Sequence, residues 1–244
     1  MNNKIPVSEV FTSIQGEGMS SGVPSVFLRL GGCNLMCGGQ GTQYDKELHN
    51  SAKWRCDTIE VWMQAQMKEY QNVFTAKQLS QLASGYHLII TGGEPLMQQK
   101  KIVELISYIE SEIGKQPFIE IETNGTIIPN EHIKKLVNQW NVSPKLSNSG
   151  NEKNIRYKPE VIKILSEQSN VQFKYVVANK EDFNEIVNDY IVLHGTSKTT
   201  LMPAGENEDL LELTREQVAE LCIENGIRYT DRMHIVIWNQ KTGV

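Results

Sequence analysis

The amino-acid sequence predicts an α/β fold in which a parallel sheet forms a partial, open β/α barrel. Short apolar segments alternate with segments whose apolar residues recur at helical spacing, a pattern typical of strands joined by helical crossovers. We count about six or seven strands, too few for a closed eight-stranded barrel. The 244 residues suit one domain, residues 1–244, better than two independent units.

Local signals place the individual strands and helices. The first predicted strand, 24–30, is an apolar run that ends at two glycines. Thr75 is expected to cap a helix that reaches Ser84, and Thr214 is expected to cap the last helix. A polar, glycine-containing stretch at 38–55 is interpreted as an inserted loop. The other predicted strands are 87–91, 118–122, 141–143, 171–177, 199–202 and 233–238, and the helices are 75–84, 97–113, 130–140, 159–167, 180–189 and 214–225.

Composition and charge narrow the class of protein. The net charge of −5 gives no electrostatic reason to expect a nucleic-acid partner, so a small-molecule substrate is expected. The first residues lack the apolar core of a signal peptide, and no apolar run approaches the roughly 20 residues that span a bilayer. A cytoplasmic protein with no membrane partner is therefore expected.

Polar and glycine-rich clusters follow several predicted strands. They lie at residues 31–33, 91–94, 122–125 and 143–145. Chemistry in parallel α/β folds collects at the carboxyl ends of the strands. We therefore expect the functional site at this edge of the sheet.

Three of the four cysteines lie close together in the sequence. Three residues separate Cys33 from Cys37, and eighteen separate Cys37 from Cys56. Three thiolates suit a 4Fe–4S cluster with one iron left open, but with His49 they equally suit zinc. Spacing alone leaves both interpretations open. Cys222 lies on the apolar face of the last helix and is expected to be part of the core.

Five motifs stand out in the chain: Phe11 to Gly18, Phe27 to Leu35, Cys56-Asp57-Thr58, Thr91 to Pro95 and Glu122 to Thr126. Together they resemble the 7-carboxy-7-deazaguanine synthase family of radical S-adenosylmethionine (SAM) enzymes, which serves the queuosine and 7-deazapurine pathway. The resemblance is densest at residues 11–145 and returns at 234–244. One departure concerns the cysteine loop, because position 40 is Gln40 and the third cysteine follows Arg55, beyond the insertion.

The resemblance implies a partial, open barrel of the radical SAM type and a specific reaction. A lyase of this family converts 6-carboxy-5,6,7,8-tetrahydropterin to 7-carboxy-7-deazaguanine with release of ammonia. The implied cofactors are a 4Fe–4S cluster on Cys33, Cys37 and Cys56, SAM on the open iron, and Mg²⁺ on Thr58. A homodimer and a flavodoxin-type reductant are the expected protein partners.

The resemblance also implies roles for individual residues. Met202 replaces the family's glutamine in an adenine contact, and Arg29 is expected to clamp the substrate carboxylate unless it forms an internal ion pair. The expected substrate contacts are Ile14, Gln15, Gly16, Glu17, Arg29, Thr91 and His234. The expected SAM contacts are Gly92, Gly93, Glu94, Glu122, Asn124, Ser143, Pro144, Lys145, Met202 and Pro203.

Two other functions compete with this interpretation. A glycyl-radical-enzyme activase shares the cysteine loop and the Gly-Gly-Glu-Pro motif but leaves residues 15–18 unexplained. A non-catalytic zinc-binding module on Cys33, Cys37, His49 and Cys56 would leave every other motif without a function.

Overall fold

A nine-stranded sheet that does not close into a barrel organises the part of the chain that the structure describes. The structure is a computed structural model that describes residues 3–63, 65–241 and 243. Two residues of the C-terminal segment that carries the resemblance, Thr242 and Val244, lie outside the described residues. The strands are β1 (Lys4–Ile14), β2 (Pro24–Leu30), β3 (Gln66–Glu69), β4 (His87–Gly92), β5 (Ile119–Thr123), β6 (Gln139–Val142), β7 (Val171–Val177), β8 (Thr199–Pro203) and β9 (Arg228–Tyr229).

The order of the strands is β3-β1-β2-β4-β5-β6-β7-β8-β9. Strand β1 is antiparallel to β2 and β3, whereas every pair from β2 to β9 is parallel. The parallel part brings the carboxyl ends of its strands to one edge, as helical crossovers require. The predicted open α/β architecture is confirmed.

Helices connect the parallel strands. In the residues described, no helix is long and apolar enough to cross a membrane. A π-helical segment, Ile186–Ile191, joins the seventh helix to the eighth. The helices are α1 (Thr42–Asp45), α2 (Ala76–Ala83), α3 (Gln99–Ile113), α4 (Glu131–Leu136), α5 (Lys153–Arg156), α6 (Pro159–Ser166), α7 (Lys180–Glu185), α8 (Val192–His194), α9 (Glu208–Asn225) and α10 (Met233–Trp238).

Most predicted elements are confirmed, and some are wrong in instructive ways. Strand β7 has the predicted bounds, and Thr75 caps α2 in a capping box with Gln78. The predicted strand at 233–238 is instead helix α10, and the predicted helix at 130–140 ends at Leu136. Strands β1, β3 and β9 were not predicted, so the expected count of six or seven strands was too low.

Helix α9 begins earlier than predicted. Its N-cap is Asn207, whose side chain accepts a hydrogen bond from the Leu210 amide. Thr214 lies inside the helix and donates its hydroxyl to the Ala204 carbonyl oxygen, 2.7 Å away. Hydroxyl groups inside a helix often bond to a nearby backbone oxygen. The prediction of Thr214 as the N-cap was therefore wrong, although its hydroxyl does bond to the backbone.

The two faces of the parallel strands differ in chemistry. One face packs against the helices and is apolar, as Phe173 and Tyr175 of β7 illustrate. The opposite face alternates with it at period two and carries polar side chains, including Lys174 of the same strand. We call this second set the inner polar face. Its buried polar members are Ser25, Thr91, Glu120, Asn141, Gln172, Lys174 and Thr200.

Candidate active site

The carboxyl ends of β2, β4 and β5 bring several predicted site residues together. Arg29 and Thr91 are directly paired on neighbouring strands, and both alternate with core residues, which puts them on the side of the inner polar face. Glu122 of β5 accepts hydrogen bonds from the Thr91 hydroxyl at 3.0 Å and from the Gln15 side-chain amide at 3.1 Å. Residues predicted from three separate motifs therefore form one hydrogen-bonded group.

The cysteine loop starts where β2 ends. The backbone amide of Cys56 donates to the Cys37 carbonyl oxygen at 3.1 Å, so the two ends of the insertion at 38–55 meet. Each sulfur also has a polar neighbour: the Leu35 amide lies 3.5 Å from Cys33 Sγ, Asn151 Nδ2 lies 3.6 Å from Cys37 Sγ, and Thr58 Oγ1 lies 3.5 Å from Cys56 Sγ. Donors around the sulfurs are a usual feature of iron–sulfur sites.

The electrostatics of the three thiols test whether a cluster fits. Burial raises the pKa of Cys33 to about 11 and that of Cys37 to about 12, and it also raises the pKa of Cys56. Nearby negative charges raise these pKa values further: Glu94 and Cys56 act on Cys33, the other two thiolates on Cys37, and Asp57 on Cys56. Lys145 lowers all three. Buried thiolates therefore need a bound cation, and an iron cluster supplies that charge. The three cysteines fit such a group.

The zinc alternative is not favoured. The ring nitrogen Nε2 of His49 lies 2.9 and 3.0 Å from the two carboxylate oxygens of Asp45, in place of the sulfurs. Within residues 3–63, 65–241 and 243, no three His, Cys, Asp or Glu side chains are arranged around a single ion. Zinc requires its ligands around one point, whereas cysteines that bind separate irons of a cube need not share one.

The insertion is fastened to the loops that follow β6 and β8. Its first residue, Gly38, donates its amide to Ser149 O at 2.9 Å, and Trp54 Nε1 donates to Asn148 Oδ1 at 2.8 Å. The Arg55 guanidinium binds both carboxylate oxygens of Glu206, at 3.0 and 3.1 Å. A bidentate pair of this kind fixes geometry as well as charge. These contacts hold the segment that leads into Cys56.

The Gly-Gly-Glu segment after β4 packs against the cysteine loop. A Cβ atom on Gly93 would lie 1.9 Å from the carbonyl oxygen of Gly32, so only glycine fits there. The Glu94 carboxylate is buried and accepts hydrogen bonds from the Leu96 amide, the Thr123 hydroxyl and the Asn124 amide, at 2.7–3.0 Å. Glu94 thus joins the loops after β4 and β5, and its contact with SAM stays a prediction.

Replacing Gly93 with alanine is expected to lower the free energy of unfolding by about 1–3 kcal/mol or more, because a methyl group has no room there. It is also expected to reduce iron loading, since Gly32 must move and Cys33 follows it directly. Chemical denaturation and iron analysis of the reconstituted protein measure the two effects. Gly85→Ala is the control for iron loading: its φ of +109° strains an alanine, but nothing lies within 4 Å of its Cβ position, so it should cost stability without moving the cysteine loop. Full iron loading in Gly93→Ala would contradict this reasoning.

The N-terminal loop after β1 forms a charged network with distant segments. The Glu17 carboxylate accepts hydrogen bonds from Lys174 of β7 and from Arg232 Nε, the latter at 3.1 Å. His234 Nε2 lies 3.9 Å from the same carboxylate, and a Cβ atom on Gly16 would lie 2.3 Å from His234 Nδ1. The C-terminal helix therefore packs directly on the predicted substrate loop, although His234 is helical and does not lie on a strand.

The protonation states in this network follow from burial and charge. Burial alone would raise the pKa of Glu17, but Lys174 and Arg232 hold it well below its ordinary value. Burial alone would lower the pKa of Lys174, but Glu17 and Glu122 raise it. Burial lowers the pKa of His234 and outweighs the opposing effect of Glu17. At neutral pH the network therefore holds an ionised carboxylate, two cations and a neutral imidazole.

The remaining predicted residues have partners within the protein. Arg29 Nε lies 3.4 Å from Glu9 Oε2. This is an internal ion pair, the alternative that the sequence analysis gave for Arg29. Lys145 Nζ donates to Ser143 Oγ at 2.9 Å and lies 5.7 Å from the centre of the Trp54 ring. Met202 is buried at the end of β8. The SAM, substrate and metal contacts of the whole predicted set stay predictions.

Sequence reasoning missed Lys174, Arg232 and the pairing of Asp57. The Asp57 carboxylate accepts a hydrogen bond from Arg232 NH2 at 2.6 Å. One signal was available: Gln172 and Lys174 are the two polar residues of an otherwise apolar strand, and their period-two spacing puts them on one face. No comparable pattern marks Arg232.

Comparison with known proteins connects this geometry to a family. A model described as a 4Fe-4S single cluster domain matches residues 14–154 and so includes all three cysteines. The open α/β sheet and the three-cysteine loop, with this match, define an iron–sulfur protein of the radical SAM class. A relative named 7-carboxy-7-deazaguanine synthase is 32% identical over 97% of this chain, so the chain belongs to that family.

Two relatives and one solved structure illustrate the similarity. The 7-carboxy-7-deazaguanine synthase of Pyrobaculum aerophilum is 29% identical over 242 residues, covering 98% of this chain and 97% of that protein. The synthase of Rhodopirellula baltica is 32% identical over 257 residues, covering 97% of this chain and 88% of that protein. The crystal structure of QueE from Escherichia coli matches with a TM-score of 0.64 at 22% identity, covers 95% of each chain, and supports the fold.

Proposed function

We propose that this protein converts 6-carboxy-5,6,7,8-tetrahydropterin to 7-carboxy-7-deazaguanine with release of ammonia. The proposal rests on where the three cysteines lie relative to the polar residues of the site. The three cysteines of the matched domain lie at the same edge of the sheet as the hydrogen-bonded group of Gln15, Thr91 and Glu122. A cofactor bound at the cysteine loop would therefore lie beside a polar surface suited to a small, hydrogen-bonding substrate.

Cys33, Cys37 and Cys56 would hold the 4Fe–4S cluster, and SAM would bind at its open iron. When bound, these two groups supply the radical chemistry of the reaction. The chain's own residues orient and enclose the cofactors. Lys145 contributes a positive charge beside the thiolates. The residues proposed to surround SAM are Gly92, Gly93, Glu94, Glu122, Asn124, Ser143, Pro144, Lys145, Met202 and Pro203.

The substrate would lie against the inner polar face. Its heterocycle offers several donors and acceptors, which suit the fixed amide and carboxylate groups of Gln15 and Glu122. Its carboxylate suits the Arg29 guanidinium, which the loose contact with Glu9 leaves partly free to bind a second anion. The remaining proposed contacts are Ile14, Gly16, Glu17, Thr91 and His234.

Several finer expectations belong to the same proposal. Thr58 would ligate Mg²⁺ together with substrate oxygens and water. The homodimer, the flavodoxin-type reductant, the cytoplasmic location and the single domain over 1–244 also stay predictions. Family membership does not favour the glycyl-radical activase.

Anaerobic turnover tests the proposal. The reconstituted protein is incubated with SAM, dithionite, Mg²⁺ and 6-carboxy-5,6,7,8-tetrahydropterin, and the product is quantified by mass spectrometry. We expect 7-carboxy-7-deazaguanine and ammonia in equal amounts, and none when SAM is omitted. Cleavage of SAM without this product, at full cluster loading, would contradict the assigned substrate.

A further inference from the structure

Arg232 connects three segments that the proposed function assigns to different parts of the site. The residue directly precedes α10, and its side chain is 11% exposed. Its guanidinium donates from Nε to Glu17 Oε1 at 3.1 Å, from NH1 to the Gly205 carbonyl oxygen, and from NH2 to Asp57 Oδ2 at 2.6 Å. All three nitrogens are therefore used.

The three acceptors stand next to three functional segments. Glu17 closes the Gln15-Gly16 loop of the proposed substrate site, and Asp57 directly follows Cys56. Gly205 lies two residues after Pro203, at the end of the strand that carries the proposed adenine contact. One side chain thus ties the proposed substrate, cluster and SAM segments to each other.

The backbone of Arg232 is itself anchored at the same place. Its amide donates to Asp231 Oδ1 at 2.7 Å, and the next amide, that of Met233, donates to Gly16 O at 2.9 Å. The Arg55 pair with Glu206 holds the other side of the Gly205 segment. The guanidinium is therefore a rigid fork on a fixed base, which lysine cannot reproduce.

We propose that Arg232 is a positioning residue that sets the distance between the substrate loop and the segment that carries Cys56. This inference rests on the proposed function. It does not make Arg232 a contact of substrate or SAM. Its role is to keep Glu17 and Asp57 at fixed positions, so that a radical formed at the cluster side reaches the correct substrate atom.

The test compares Arg232→Met, Arg232→Lys and the control Arg228→Met, which changes an exposed arginine on β9. Four quantities are measured: iron content, KM for the carboxytetrahydropterin, kcat, and the ratio of 5′-deoxyadenosine to 7-carboxy-7-deazaguanine. Arg232→Met is expected to load iron normally but to raise KM about tenfold to a hundredfold. Losing hydrogen bonds from Arg232 to the charged Glu17 and Asp57 lets the substrate loop leave its binding position. The ratio of 5′-deoxyadenosine to product is expected to rise above that of the wild type.

Arg232→Lys distinguishes positioning from charge alone. It keeps the positive charge but not the three-way contact, so its KM and its product ratio are expected between those of the wild type and Arg232→Met. It also decides the question if Arg232→Met does not fold. The proposal would be overturned if Arg232→Lys, and any folded Arg232→Met, kept both the wild-type KM and the wild-type ratio of 5′-deoxyadenosine to product. A wild-type protein that forms no product would instead refute the proposed function, and this inference with it.

Discussion

Replacing Cys56 with alanine is expected to abolish formation of 7-carboxy-7-deazaguanine and to leave the protein unable to hold a complete cluster. Three thiolates are the smallest protein ligand set that leaves one iron open, and Cys33 and Cys37 alone would leave two corners without protein ligands. Iron and sulfide analysis after anaerobic reconstitution is expected to fall well below about four irons per chain. SAM cleavage, measured as 5′-deoxyadenosine, is expected to fall to background.

Cys222→Ala is the matched control for this experiment. Cys222 is the fourth free cysteine, and it is buried in the hydrophobic core on α9. Its loss is expected to cost some stability but to leave iron loading and SAM cleavage unchanged. If Cys56→Ala kept full iron and undiminished SAM cleavage, Cys56 would not be a ligand, and the insertion would not return the third cysteine to the cluster.

The central strands could be predicted from sequence because each is a short apolar run with a clear end. Strand β7 was predicted with its observed bounds, since residues 171–177 are rich in β-branched and aromatic side chains. Strands β2 and β4 both run into glycines, and Gly92 and Gly93 are required where the ends of the two strands touch. At these positions the local signal and the tertiary contact agree.

The edges of the sheet could not be predicted in the same way. Strand β1, Lys4–Ile14, is half-buried along most of its length, contains Pro6, and has an irregular register between Val7 and Glu9. Helix α10 has the composition of a strand, Met-His-Ile-Val-Ile-Trp, yet it is helical. A short apolar run is ambiguous between strand and helix, and the tertiary contacts of Met233 and His234 with the Gly16 loop are absent from local sequence.

The residues of the candidate site also differ in how well the sequence predicts them. The cysteines and the strand-end loops were found because each forms a compact motif. Lys174 and Arg232 were not found, because their partner Glu17 is 157 and 215 residues away in sequence. A single sequence contains no signal for such pairings.

The inner polar face explains why those pairings are required. Buried charges are costly unless they are paired and hydrogen-bonded. Glu17, Lys174 and Arg232 satisfy one another, and Glu120 accepts hydrogen bonds from Asn141 Nδ2 at 2.8 Å while His87 Nδ1 lies 2.7 Å away. The inner polar face is therefore a set of paired polar side chains next to the cysteine loop. Replacing one of these side chains should lower the free energy of unfolding more than replacing an exposed side chain does.

Lys174→Met is expected to lower the free energy of unfolding at pH 7 by about 3 kcal/mol, the lower end of the range for breaking a buried ion pair from one side. The lower end applies because Arg232 still faces Glu17. Chemical denaturation measures the change, and Lys163→Met, at an exposed position of α6, is the control with an expected change within about 0.5 kcal/mol. Adding Glu17→Gln to Lys174→Met is expected to restore part of the loss, because the carboxylate no longer lacks its partner.

The pKa of Glu17 gives the same ion pair a distinctive pH dependence. Because the folded protein holds this pKa below its ordinary value of 4.5, the unfolded chain takes up the proton first as the pH falls. The stabilisation is therefore complete at pH values above 4.5 and decreases as the pH drops below it. Wild type and Glu17→Gln are expected to differ most in unfolding free energy near neutral pH and to converge in acid. A difference that stays constant from pH 7 to pH 3, or a Lys174→Met variant as stable as the wild type, would mean that Lys174 and Glu17 are not coupled in the folded protein.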